Sequence, residues 1–172
     1  CVIVGGGLIA QRKVSTLLRY GAHITLVSPA LTRRLAAQVK AGKIQHAARR
    51  FRPADLQGAW LVYACTDEQA INEQVFREAT RRTIFANVID QKPLCSFITP
   101  SIVTRGSLTI AVSTGGASPT IAKRLRREVG EFVGREYTPL LRLLGSLRGV
   151  AIRRLPHYND RKRYFDDVMA GT

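Results

Sequence analysis

Six residues near the start of the chain have the types and spacing that bind a pyrophosphate. Gly5-Gly6-Gly7-Leu8-Ile9-Ala10 follows the pattern G-x-G-x-x-A. In this pattern the first glycine permits a tight turn, Gly7 lets the backbone approach the phosphates, and Ala10 lets a helix pack closely on a strand. The phosphates then lie at a helix N-terminus, where N–H groups and the helix dipole favour negative charge. The motif predicts a dinucleotide site; the alternative is a similar fold that has lost its ligand.

The acidic residue that usually follows the second strand of such a site is absent. Ser28 stands there, followed by Pro29 and Ala30. Without the acid, Arg33 and Arg34 could accept the 2′-phosphate of NADP; alternatively, they form a solvated helix face. These residues alone leave NAD and NADP open.

Asp90 is the carboxylate in the most favourable position for chemistry. It comes directly after a predicted strand, and ligands of open α/β sheets bind outside the carboxyl ends of the strands. The alternative is a loop aspartate that caps a turn before Pro93. Asp67 also follows a strand, but we attribute it to helix capping.

A second glycine-rich turn leads into a helix at Ser113-Thr114-Gly115-Gly116-Ala117-Ser118-Pro119. By the same physics it is a second candidate anion site. Serine and proline are also the residue types that begin an ordinary helix. Ordinary capping is slightly favoured on the sequence alone.

The histidines and cysteines do not form the pattern of a metal centre or a disulfide framework. They are isolated in sequence, at His23, His46, His157, Cys1, Cys65 and Cys95. We predict no metal site, and thiols that stay reduced in the cytoplasm.

Alternating strands and helices surround the first motif. The apolar pattern predicts strands at 1–4, 24–27, 59–65 and 84–89, a short strand near Ile44, and helices at 8–20, 30–41 and 68–82. Thr66 followed by Gln69 is a capping-box signature for the third helix, and 47–58 is predicted as a loop. The alternation is typical of a parallel sheet with helices on both faces. The predicted fold class is therefore α/β, with a Rossmann-type domain over 1–98.

The pattern changes after residue 98. Residues 101–104 and 108–113 are strand-like and are joined by Arg105-Gly106-Ser107, which predicts a hairpin. Helices are predicted from Ser118 to about Val133, at 137–148 and near 160–169. We expect a hairpin-and-helix region over 99–134 and a small helical domain over 135–172.

The net charge of the chain limits the classes of partner that it is expected to bind. The 27 Lys and Arg exceed the 12 Asp and Glu, giving a formal charge of +15, and the excess is spread along the chain. This favours nucleic acid, anionic lipid or a polycarboxylate substrate. Aromatic residues make up 7% and do not cluster, which argues against nucleic acid, and no apolar run approaches the roughly 18–20 residues that span a bilayer. The chain opens inside an apolar run without Met, so we expect residues ahead of Cys1 and no signal peptide.

Several segments are shared with one family: 4–7, 12–13, 64–67, 87–90, 97–100 and 113–119. They are similar to the precorrin-2 dehydrogenase / sirohydrochlorin ferrochelatase family, which includes the N-terminal half of siroheme synthases. The resemblance is close from Cys1 to about Leu125 and looser beyond.

The resemblance implies NAD-dependent oxidation of precorrin-2 to sirohydrochlorin and, in many members, insertion of Fe²⁺ to give siroheme. It implies NAD rather than NADP, since members commonly lack the acid that Ser28 replaces. It also implies an intertwined homodimer joined through 99–134 and a catalytic aspartate at Asp90. A polycarboxylate tetrapyrrole would suit the strongly basic chain.

On this basis we predict the site residues. Asp90 is catalytic. The predicted cofactor contacts are Gly5, Gly7, Leu8, Ile9, Ser28, Pro29, Ala30, Thr66 and Asn87. The predicted tetrapyrrole contacts are Arg105, Ser113, Thr114, Gly115, Gly116, Ser118 and Lys123.

A ligand-sensing Rossmann module without catalysis is the alternative function. It would keep the glycine turn but would need neither Asp90 nor the loop at 113–118. We predict a cytoplasmic protein with no nucleic-acid or membrane partner. The chelatase activity, its metal and any methyltransferase domain after residue 172 stay open.

Overall fold

Residues 1–171, which the computed structural model describes, begin with a five-stranded parallel sheet. Its strands are β1 (Val2–Val4), β2 (Thr25–Val27), β3 (Gln45–Ala47), β4 (Leu61–Ala64) and β5 (Phe85–Val88). Their order is β3-β2-β1-β4-β5, and neighbouring strands are parallel. The order reverses at β1, which is where the Rossmann fold opens its ligand crevice. The predicted fold class is confirmed.

Helices cover both faces of this sheet. They are α1 (Leu8–Arg19), α2 (Arg33–Lys40) and α3 (Gln69–Arg81). Because side chains alternate along a strand, Ile3 packs on one face with Val14 and Leu35 of α1 and α2. Val4 packs on the other face with Val75 of α3. Two apolar layers thus hold the carboxyl ends of the strands in register.

Two local predictions for this sheet domain need correction. The predicted capping box at Thr66 is wrong, because Glu68 and not Thr66 is the N-cap of α3. The Thr66 hydroxyl instead accepts from the N–H of Glu68 at 3.2 Å and donates to Asn72 Oδ1 at 2.8 Å. The loop at 47–58 contains a short 3₁₀ helix, Pro53–Leu56. Its Asp55 accepts from both Nη1 and Nη2 of Arg49, at 2.9 and 2.6 Å.

The chain divides between Ile98 and Thr99 into two compact units. The second unit begins with an antiparallel hairpin, β6 (Ser101–Arg105) and β7 (Leu108–Val112), whose tight turn contains Gly106 at φ +60°. Three helices follow within the described residues: α4 (Pro119–Phe132), α5 (Tyr137–Arg154) and α6 (Tyr158–Ala170). The hairpin and helices are confirmed, and the boundary at 134 stays a prediction.

One predicted helix start in the second unit agrees with the structure, and one predicted helix end does not. The predicted cap of α4 is present, since Ser118 Oγ accepts from the Ile121 N–H at 3.3 Å and Pro119 is the first helical residue. Helix α5 continues to Arg154, beyond the predicted end at 148, and Gly149 lies inside it although glycine is about 1 kcal/mol less favourable than alanine there. Within residues 1–171 no helix is long and apolar enough to cross a membrane.

Candidate functional site

The turn after β1 requires glycine at position 5. Gly5 has φ +113°, and a Cβ atom there would lie 2.5 Å from the carbonyl oxygen of Cys65. Its N–H donates to the Val27 carbonyl at 2.9 Å. Only glycine combines this φ with this close approach, so the chain passes directly from β1 towards α1.

Gly6 brings the loop after β2 against the glycine turn. A Cβ atom on Gly6 would overlap the carbonyl oxygen of Ala30 and lie 2.7 Å from Ser28 Oγ. The Gly6 carbonyl also accepts from the Thr32 N–H at 3.0 Å. Residues 28–32 therefore form a wall fixed to the turn.

Gly7 faces open space instead. No atom of the described residues lies within 4 Å of the position of a Cβ on Gly7. Gly7 is the N-cap of α1 at φ −84°, and among the described residues no side chain caps this helix. The first N–H groups of a helix have no partner within it, and the helix dipole favours an anion there. A pyrophosphate therefore fits this end of α1.

A cavity of about 580 Å³ adjoins the turn, at the carboxyl ends of β1, β2 and β4. Its volume is in the range of small-molecule sites, roughly 300–1,000 Å³. It is lined by eight of the nine predicted cofactor contacts: Gly5, Gly7, Leu8, Ile9, Ser28, Pro29, Ala30 and Thr66. The structure thus brings together residues that are up to 61 positions apart in the sequence.

Ser28 lines the cavity, and its polar groups bond to the protein around it. Its hydroxyl donates to the Ala30 carbonyl at 2.7 Å, and its own carbonyl lies 2.9 Å from His46 Nε2. Arg33 and Arg34 are exposed on α2 and lie outside the cavity lining. They form a solvated helix face, so the structure does not support them as a 2′-phosphate site.

The cavity wall also contains a charged pair that was not predicted from the sequence. Arg50 and Glu68 both line the cavity, and Arg50 Nη1 lies 3.4 Å from Glu68 Oε2. Asp67 lines it too, and the N-cap of α3 is Glu68, so the capping interpretation of Asp67 is wrong. Arg50 follows β3 and Glu68 follows β4. The strand-end rule that selected Asp90 would have selected them as well.

Cys65 lines the cavity, and its thiol is unreactive. Burial raises the pKa of Cys65 to about 12, although the nearby Lys13 ammonium opposes the shift. The thiol therefore stays protonated at neutral pH and is a poor nucleophile. Lys13 Nζ lies 4.5 Å from the centroid of the Tyr63 ring, and burial lowers the pKa of this lysine.

Asp90 and Asn87 lie outside the cavity lining. Asp90 is exposed after β5, at the same edge of the sheet, and has φ +58°. Asn87, predicted to contact the cofactor, is buried, and its Nδ2 donates to the Phe97 carbonyl at 3.0 Å and to Cys95 Sγ at 3.6 Å. The amide of Asn87 thus ties β5 to the segment after it.

Most of the predicted tetrapyrrole contacts lie in one loop of the second unit. Thr114 Oγ1 accepts from the Ser118 N–H at 3.0 Å and donates to the Ser118 carbonyl at 3.1 Å. Ser113 Oγ accepts from the Gly115 N–H at 3.2 Å, and Gly116 has φ +79°. The hydroxyls shape the loop and cap α4, which is the interpretation slightly favoured from the sequence.

Arg105 has a structural use that the sequence did not predict. Its Nε donates to the Val133 carbonyl and its Nη1 to the Thr104 carbonyl, each at 3.0 Å, and its Nη2 donates to the Gly130 carbonyl. The guanidinium therefore ties β6 to the end of α4, and the structure does not support Arg105 as a substrate contact. Lys123 is exposed on α4.

Within residues 1–171 no cluster of three or more His, Cys, Asp and Glu could hold a metal ion. Cys1, Cys65 and Cys95 are free, half-buried thiols. The described residues place an uncapped helix N-terminus at α1 and an exposed carboxylate at Asp90.

Two family models match the chain. The one described as putative NAD(P)-binding matches residues 1–101, and the one described as sirohaem biosynthesis protein central matches residues 105–131. The first covers more than half of the chain. It confirms the predicted cofactor, NAD, in the form of an NAD(P)-binding domain.

Similar proteins are found along the whole chain. It is 43% identical over 172 residues to a siroheme synthase of Methylobacillus flagellatus and 41% identical over 171 residues to one of Thioalkalivibrio sulfidiphilus. The matches cover 100% and 99% of this chain but 37% and 35% of the relatives, so the chain spans little over a third of their length. The solved structure of SirC, precorrin-2 dehydrogenase, matches with a TM-score of 0.78 at 28% identity, over 95% of this chain and 80% of that one. The resemblance stated from the sequence is confirmed.

Proposed function

We propose that this chain, which belongs to the putative NAD(P)-binding family, oxidises precorrin-2 to sirohydrochlorin as part of a siroheme-synthesis protein. The observation that carries the proposal is the end of α1 at Gly7, which opens on the cavity walled by Gly5, Gly6 and residues 28–32. This supports a dinucleotide, and the similarity to siroheme synthases and to SirC supports the substrate.

The oxidation removes a hydride and a proton from the tetrapyrrole. NAD, when bound, supplies the hydride acceptor. The glycine turn and the first turn of α1 hold its pyrophosphate, and the fixed wall at 28–32 limits where the adenosine half lies. We assign the proton to the carboxylate of Asp90, because this exposed side chain follows β5 at the sheet edge that holds the cavity.

The basic charge of the chain supports a polyanionic substrate. Lys123 and the loop at 113–118 remain the proposed tetrapyrrole contacts, whereas Arg105 is withdrawn from that set. Backbone N–H groups and an exposed ammonium are the donors that carboxylates need. From the family resemblance we also propose that the protein is a homodimer joined through 99–134 and that it is cytoplasmic.

The test uses the full-length protein with precorrin-2 and NAD. We expect NADH and sirohydrochlorin to form in equal amounts, as measured by their absorbance. No NADH should form when precorrin-2 is left out. NADP should support slower turnover, because Arg33 and Arg34 lie outside the cavity. Tight NAD binding by calorimetry with no turnover would contradict the proposal and favour the ligand-sensing alternative.

Insertion of Fe²⁺ is a second proposed activity, with iron as a substrate and not a resident metal. It is motivated by the match to the sirohaem biosynthesis central model at 105–131. Adding Fe²⁺ to the completed oxidation should give the siroheme spectrum faster than in a sample without protein. Equal rates in the two samples would remove the chelatase and leave the dehydrogenase.

A further inference from the structure

The turn that carries Asp90 is closed by a sulfur atom. The chain reverses over residues 88–91, where the Gln91 N–H donates to the Val88 carbonyl at 3.4 Å. Asp90 is the third residue of this turn and has φ +58°. That position of a turn favours glycine or asparagine, so contacts that hold the turn closed help to keep Asp90 in this conformation.

Cys95 contacts both ends of this turn. Its Sγ accepts from the Val88 N–H at 3.3 Å, and its S–H can donate to the Val88 carbonyl at 3.2 Å or to the Gln91 carbonyl at 3.3 Å. The Nδ2 group of Asn87 donates to the same sulfur at 3.6 Å. One atom therefore touches the first and the last residue of the Asp90 turn.

Cys95 is itself held against the exposed edge of β5. An isolated antiparallel bridge pairs Asn87 with Cys95. Next to it, Ser96 Oγ accepts from the Ala86 N–H at 2.7 Å and the Ser96 N–H donates to the Ala86 carbonyl at 2.8 Å. Cys95 also packs against the apolar core under α3. The sulfur is fixed from one side by the sheet and from the other by the core.

We propose that Cys95 is a positioning residue that holds Asp90 in its productive conformation. The inference rests on the role of Asp90 in the proposed function. Sulfur suits this place because a thiol is both a weak donor and a weak acceptor. Its contacts here, at 3.2–3.3 Å, are longer than the 2.7–2.8 Å typical of hydroxyl bonds, so a serine could satisfy only one end of the turn.

The test compares Cys95→Ala and Cys95→Ser in the full-length protein with precorrin-2 and NAD. A displacement of about 1 Å in a reacting group can cost about 100-fold in rate. We therefore expect Cys95→Ala to lower kcat about 10- to 100-fold, with the KM for NAD unchanged, and Cys95→Ser to recover part of the loss. Cys1→Ser, another half-buried thiol, is the control and should keep wild-type kcat.

A double-mutant cycle separates positioning from a general loss of structure. If Cys95 acts through Asp90, Cys95→Ala should lower kcat no further in an Asp90→Asn background. Equal losses in both backgrounds, or wild-type kcat in Cys95→Ala while Asp90→Asn is inactive, would overturn the positioning role. Wild-type kcat in Asp90→Asn would instead overturn the role of Asp90 in the proposed function.

Discussion

The carbonyl oxygen of Ala30 occupies the place where a Cβ atom of Gly6 would stand. One residue further on, the corresponding space at Gly7 is open. Two adjacent glycines of the motif therefore serve different purposes. Gly6 lets the glycine turn pack against the loop at 28–32, and Gly7 leaves room for the ligand.

Gly6→Ala should damage the fold, because the new methyl group must displace the Ala30 carbonyl. Overpacking of this kind costs about 1–3 kcal/mol. We expect a lower Tm in thermal unfolding and weaker NAD binding, since residues 28–32 form a cavity wall. An unchanged Tm would show that the loop moves aside freely.

Gly7→Ser should separate stability from binding. Serine is a good N-cap, so its hydroxyl can bond the first turn of α1, and the gain over glycine is a few tenths of a kcal/mol. The same hydroxyl occupies the space where a pyrophosphate would lie. We expect a Tm equal to or above wild type and at least about 10-fold weaker NAD binding by calorimetry, which is about 1.4 kcal/mol. Wild-type affinity would mean that the phosphates bind elsewhere.

Substitutions of Asp90 should show that its conformation carries strain. A left-handed conformation costs most non-glycine residues roughly 1–2 kcal/mol, but it costs aspartate less because its short polar side chain can bond locally, and the extra flexibility of glycine offsets part of the gain. Asp90→Gly should therefore be at least as stable as wild type in urea titrations and inactive as a dehydrogenase. Asp90→Asn should keep wild-type stability and also lose activity.

Thr83 provides the matched control for Asp90. It has φ +57°, follows α3 and lies outside the cavity lining. Thr83→Gly should be stabilised more than Asp90→Gly, because a β-branched residue is more strained at this φ, and it should keep full activity. If neither glycine variant is stabilised, the two conformations are not strained.

Arg105→Ala and Lys123→Ala should affect different properties. Loss of the Arg105 bonds to the carbonyls of Thr104, Gly130 and Val133 should destabilise the second unit by about 2–3 kcal/mol. Exposed Lys123 should leave the Tm unchanged but raise the KM for precorrin-2, and the effect should fade at 1 M salt, where the Debye length is about 3 Å. If the KM for precorrin-2 changes neither with the Lys123→Ala substitution nor with the salt concentration, electrostatic capture of the substrate is contradicted.

The ion pair of Asp55 and Arg49 should make stability depend on pH. Hydrogen bonds from Arg49 hold the pKa of Asp55 below its ordinary value. A carboxylate with a lowered pKa stabilises the fold above the pKa of the unfolded chain, and this contribution is lost as the pH falls through the folded pKa. Asp55→Asn should therefore cost about 1–2 kcal/mol at pH 7, and its Tm should approach that of wild type in acid. A Tm difference that persists in acid would contradict the ionic origin.

Backbone requirements were readable from the sequence. A β-strand followed by Gly5-Gly6-Gly7 and a helix can close only in a narrow range of ways, and alternating apolar segments determine a parallel sheet with two covered faces. The position of eight predicted cofactor contacts in one cavity follows from that order, because parallel strands bring their carboxyl ends to one edge. These features depend on local backbone geometry and on periodicity, which a sequence displays directly.

The use of polar side chains was decided only by the tertiary structure. Asn87 donates to the Phe97 carbonyl and Arg105 donates to the Val133 carbonyl, 10 and 28 residues away, so each has a structural contact that its residue type did not suggest. Arg50 and Glu68 lie in segments that the sequence marks as a loop and a helix start, yet their side chains pair in the cavity wall. A polar group pairs with whichever partner the fold brings within about 3 Å. Sequence spacing does not determine that partner, because it depends on how elements distant in the chain pack together.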